Sequence, residues 1–84
     1  MTTERQRLIA AVDAFAAEMK KRLLEKLRDG WAGWREGEYQ EEIGERMIYN
    51  ATRAEKNNDL QSLVDAANLA MMRHNYISEQ KEKP

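Results

Sequence analysis

The sequence predicts an all-α fold: three helices in an antiparallel arrangement, the first of them long, assembling into an oligomeric helical bundle. Apolar residues recur at three- and four-residue steps in three segments, turn-forming residues gather around 29–38 and 57–59, and no stretch alternates apolar and polar side chains as a half-buried strand would. With 84 residues and a mass of 9.8 kDa, residues 1–84 form one domain. A chain this short buries only about 60–65% of its unfolded surface. It has no cysteine for a disulfide staple, so stability has to come from helix packing or self-association.

The first helix is expected over about residues 3–29. Thr3 followed by Gln6 has the form of a capping box, and Leu8, Val12, Phe15, Met19, Leu23 and Leu27 then fall on one face. Asp29-Gly30 suits its end, because glycine takes the left-handed conformation that closes many helices. Residues 30–38 contain three of the four glycines and both tryptophans, and read as an ordered loop. The second helix is expected over about 38–56. Glu38, Glu41 and Glu42 lie in its first turns, where the helix dipole favours anions, and Ile43, Met47, Ala51 and Ala54 form a narrow apolar stripe. Asn57-Asn58-Asp59 breaks the pattern, and Asn58 with Gln61 resembles a second capping box, which opens a third helix over about 59–78. The tail, residues 79–84, has no apolar anchor and is expected to fray.

A first helix of this length outruns the other two, and the third is apolar nearly all round between Leu63 and Met72. Both features predict a homo-oligomer with the first and third helices at its interface. The charge balance narrows the other partners. Fourteen basic and fifteen acidic residues leave a net charge of −1, which argues against duplex DNA held by counterion release. No apolar run is long enough to span a membrane, and residues 1–7 lack the apolar stretch of a signal peptide. The expected location is cytoplasmic.

Asp65 and Asn68 are the polar residues within the apolar stretch 63–72, and their three-residue spacing puts them on one helix face. A buried carboxylate needs a partner. The pair therefore reads either as a Mg²⁺ or nucleotide site, or as a buried network to a Trp indole, an Arg or a partner subunit. Lys20, Lys21, Arg22, Lys26 and Arg28 place five positive charges at the end of the first helix. Lys21, Arg22 and Lys26 are candidate phosphate ligands, against a solvated face balanced by Glu18, Glu25 and Asp29. Trp31 and Trp34 offer either a stacking platform for a base or a cap on the core. His74 has no second histidine or cysteine to share a metal with and reads as a packed side chain, and Met19, Met47, Met71 and Met72 read as core.

Val-Asp-Ala-Ala-Asn-Leu-Ala-Met-Met at 64–72 resembles the second-motif helix of the phage and prophage members of the MazG-like nucleoside triphosphate pyrophosphohydrolases. Arg-Asp-Gly-Trp-Ala-Gly-Trp at 28–34 is similar to the segment before their first motif. The resemblance implies an all-α oligomer that holds Mg²⁺ with Glu-x-x-Glu and Glu-x-x-Asp and cleaves dNTPs to monophosphate and pyrophosphate. Asp65 then matches one metal ligand, but Ser62 stands where its acidic companion belongs. The Glu-x-x-Glu of Glu42 and Glu45 comes about one turn early, and 47–53 contains no acid. Metal-assisted phosphoryl transfer needs more than one well-placed carboxylate. The expectation is a non-catalytic, phage-type accessory protein with no catalytic residue and no resident cofactor, which sequesters a nucleotide-type ligand or docks on a host protein such as one of a defence system. The alternatives are a Mg²⁺-dependent dNTP pyrophosphohydrolase whose site is completed across subunits, with Asp65 as metal ligand, and a self-assembling structural subunit.

Overall fold

The computed structural model describes residues 2–83. Three helices, α1 (Glu4–Arg28), α2 (Gln40–Asn57) and α3 (Leu60–Glu82), account for nearly all of it, with a single 3-10 turn at Gly37–Tyr39 leading into α2. There is no strand among the described residues, and no helix there is long and apolar enough to cross a membrane.

Local chemistry sets most of the boundaries. At the start of α1 the capping box forms as expected: the Thr3 hydroxyl accepts from the Gln6 amide at 3.1 Å, and the Gln6 side-chain oxygen accepts from the Thr3 amide at 2.8 Å. Two orphan amides are thereby satisfied. At the other end, Gly30 adopts φ +87°. Its amide donates to Leu27 O and that of Trp31 to Lys26 O, both at 3.0 Å, which is the paired closure of a Schellman motif.

The α2–α3 junction corrects the expected second capping box. Asn58 takes the left-handed conformation, φ 52°, and closes α2. Asp59 caps α3 in its place, accepting from the amides of Gln61 at 3.1 Å and Ser62 at 3.4 Å and from the Ser62 hydroxyl at 2.8 Å. The Ser62 hydrogen bond holds the Asp59 carboxyl below its ordinary range. Two residues thus turn the chain through a hairpin of antiparallel helices.

At the open end of this hairpin the two helices and the loop are tied by polar contacts. Buried Gln40 donates to Trp34 O at 2.8 Å and Glu36 O at 3.3 Å, and accepts from Arg73 at 3.0 Å. Arg35 pairs with Glu79 at 3.3 Å. The expected frayed tail is corrected: α3 is helical to Glu82, and the exposed Arg35–Glu79 pair lies on this last stretch. Pro84 lies outside the described residues.

The core is small, with Ile43, Ala54, Ala66 and Met72 its buried apolar side chains. Met19, Met47 and Met71 are half-buried and His74 is exposed, so the expectation that they pack inside holds only for Met72. Helix α3 touches both others, whereas α1 crosses α3 through its second half and makes no comparable contact with α2. The first half of α1 projects past the start of α3. Its stripe continues the packed face, yet Leu8, Val12 and Phe15 are 60%, 66% and 40% exposed.

Candidate functional site

The crossing of α1 and α3 is built on Arg22, Asp65 and Asn68. Arg22 Nε donates to Asp65 Oδ1 at 3.0 Å, and its Nη1 donates to Glu25 at 3.2 Å. Asp65 holds the guanidinium above its ordinary range, partly offset by desolvation. With its amide turned to present oxygen, Gln61 also accepts from Arg22 Nη1 and Nη2 at 3.2 and 3.0 Å. The carboxylate in the apolar helix is therefore matched by an arginine. The pair is part-buried rather than fully enclosed.

Asn68, one turn on, is only 2% exposed. Its Nδ2 donates to Met19 O at 3.2 Å, while its Oδ1 has no partner. An unmet buried acceptor costs about 1–3 kcal/mol, so this atom marks a place where a donor is missing. The Asn68 residue lines a cavity of about 70 Å³ together with Lys26, Trp31, Arg46, Asn50 and Asp65, although the Oδ1 atom itself is shut off from solvent. Lys26 Nζ stands 5.9 Å from the Trp31 ring centroid, within cation–π range. Arg46 is bonded to Glu42 at 2.6 Å, and Asn50 donates to Arg46 O at 2.9 Å.

A second cavity, of about 170 Å³, shares Trp31, Arg46 and Leu69 with the first and is bounded beyond them by Trp34 and Tyr39. The glycines of the loop allow this proximity. Gly33 has φ +86°, and a Cβ there would sit 3.0 Å from Tyr39 Cε2. The two cavities adjoin across Trp31, Arg46 and Leu69; Lys26 and Asp65 line the first, and Trp34, Tyr39 and Glu42 the second. Five of the seven sequence-predicted positions fall at or beside them: Asp65, Asn68, Lys26 and Trp31 in the first cavity and Trp34 in the second. Lys21 and Arg22 line a different groove of about 350 Å³, with Glu18, Glu25, Leu60 and Gln61.

Arg46, Asn50 and Tyr39 were not singled out from sequence. The available signal was the four-residue spacing of Arg46 and Asn50 beside the apolar stripe of α2, but a charge flanking a stripe is ordinary unless the loop folds over it. The acidic residues do not assemble a magnesium centre. Glu42 is held by Arg46 and Asp65 by Arg22, Ser62 is bonded to Asp59, and no group of three or more His, Cys, Asp and Glu converges among the described residues. No family model, curated protein or solved structure matches the chain.

Proposed function

We propose that this protein is a non-catalytic binding protein that sequesters a nucleotide-type anion in the cleft between α1, α2, α3 and the Trp31–Tyr39 loop. The observation that carries the reading is a cavity flanked by Lys26 and Arg46 and adjoined by Trp31, with the under-bonded Asn68 amide in its lining. In this reading the two cations take a phosphate, with Glu42 giving up or sharing Arg46. A small reorientation of the Asn68 amide would bring its oxygen to the ligand. The aromatic end, Trp31, Trp34 and Tyr39, receives a base, because stacking is favourable for every base type. No residue in the cleft is assigned a chemical step: Asp65 is occupied by Arg22, and its role is to hold α1 at the angle that keeps Lys26 over Trp31.

Thermal-shift titration with dNTPs, nucleoside monophosphates and cyclic di- and trinucleotides, each with and without Mg²⁺, tests this directly. A ligand that prefers the folded state raises Tm. One nucleotide class is expected to raise Tm and to be recovered chemically intact, with quenching of tryptophan fluorescence. Lys26→Glu and Arg46→Glu should each abolish the shift, with circular dichroism showing that the helices remain. Pyrophosphate release would replace sequestration by turnover. No shift with any nucleotide, or a shift that survives both variants, would remove the cleft from contention.

A further inference from the structure

Beyond the projecting arm of α1, the half that carries Leu8, Val12 and Phe15, the second half of the helix borders a groove that no part of the chain fills. The groove runs between α1 and the middle of α3, and the loop that begins at Gly30 closes one end. Leu24, Leu27, Trp31, Trp34, Met71 and Met72 line a space of about 320 Å³, with no charged side chain in the lining. Met72 is the floor, 2% exposed, whereas Leu24 and Leu27 on the lip are 62% and 66% exposed. These leucines leave water only when something is laid across them. Tryptophan anchors and adaptable methionines are the side chains that grooves of this kind use.

The two lips differ in charge. Lys20 and Arg28 stand one helical turn before and one turn after Leu24, on the same face of α1, and neither is in an ion pair among the described residues. The carboxylates nearby leave this lip positive. Glu25 is bonded to Arg22, Glu18 lines the opposite flank of α1 with it, and Glu79 is bonded to Arg35. Asp13 lies about two turns before Lys20, and Asp29 lies past the last residue of α1. On the α3 lip, Ala67, Met71, His74 and Ser78 follow at steps of four, three and four residues, with no carboxylate, lysine or arginine among them. The cations are separated by about 12 Å along the helix, eight residues at 1.5 Å each.

We propose that this groove docks an amphipathic helix of a partner protein, one with apolar anchors at i, i+4 and i+7 and carboxylates about two turns apart on the flank that faces Lys20 and Arg28. A helix laid in a groove needs cover on one face only. A small amphiphile is held where about 70–90% of its surface is enclosed, which a groove with its leucines this exposed does not provide. A second copy meeting groove to groove would set a concave surface on a concave one and bring Lys20 and Arg28 against their own like.

Two stapled helical peptides test this by fluorescence anisotropy with the full chain. Both have leucine at i, i+4 and i+7; one has glutamate at i+1 and i+8, the other lysine at the same places. The glutamate peptide should bind at least about tenfold more tightly than the lysine peptide. Leu24→Asp and Leu27→Asp should each weaken its binding by about 100-fold, with circular dichroism showing that the helices remain. Lys20→Glu combined with Arg28→Glu should reverse the order of the two peptides, an outcome that loss of folding does not produce. No nucleotide is present in these titrations, so their outcome is independent of the ligand proposed for the cleft. Equal binding of the two peptides, binding of neither, or an order that charge reversal leaves in place would overturn the proposal. So would a dimer in sedimentation equilibrium that Leu27→Asp disperses, because the groove would then belong to a second copy.

Discussion

The α2–α3 hairpin and the first half of α1 are equally helical and carry similar apolar stripes, yet only the hairpin buries its own. The hairpin closes on Ile43, Ala54, Ala66 and Met72 and is pinned at both ends, by the Asp59 cap and by Gln40 bridging Trp34 and Arg73. The arm has a well-formed cap at Thr3 and nothing opposite Leu8, Val12 or Phe15. Capping and periodicity are thus enough to specify a helix but not to specify what it packs on. Side chains of the hairpin should therefore govern unfolding, and side chains of the arm should contribute little to it.

The sharpest break of that comparison is Met72→Ala in the hairpin, because Met72 is only 2% exposed. It should cost about 2–5 kcal/mol in urea denaturation, whereas Val12→Ala measured on dilute chain should stay within about 0.5 kcal/mol. Equal effects would mean that the arm is packed in the isolated chain. Next comes the turn that joins the regions. At Gly30 a Cβ would meet nothing within 4 Å, so Gly30→Ala isolates the backbone cost of positive φ, about 1–2 kcal/mol. An unchanged melt would show that the turn rearranges freely. Asp65→Ala strips Arg22 of its carboxylate at the crossing of α1 and α3 and should cost about 1 kcal/mol, with loss of protection in the second half of α1 and none in α2.

The smallest effect is the most specific in pH. Asp59 has its carboxyl lowered by the Ser62 hydrogen bond, so the folded chain binds its proton less readily than the unfolded one. The cap therefore contributes fully above the unfolded value, about pH 4, and its contribution fades as pH falls through the lower folded value. Asp59→Ala should lower Tm at neutral pH, and the gap from wild type should close on acidification. A gap that persists at low pH would assign the loss to packing.

Much of the fold was legible because its signals are local. Thr3 with Gln6, Gly30 after Asp29 and the three apolar stripes are each read within a few residues, and they fix three helices within a few positions of their ends, except at the tail. The exceptions needed distant partners. Glu79 gives no local hint that Arg35 will hold it, and Asn58 and Asp59 are both good caps, so only the hairpin geometry decides that one closes α2 while the other opens α3. At the candidate site, the polar pair Asp65 and Asn68 stood out against an apolar helix, but their fates diverge: Arg22 satisfies one and nothing satisfies the Oδ1 of the other. Arg46 and Tyr39 stayed hidden because the cleft exists only once the loop folds over α2.

The two-residue connection between α2 and α3 also sets an order of events. Contacts across that hairpin join residues near in sequence, and loop closure there is entropically cheap, so the hairpin is expected to form early and fast. Docking of α1 must wait for the longer Gly30–Tyr39 loop to close. Refolding should therefore show a rapid helical phase from the hairpin, followed by a slower one as α1 docks.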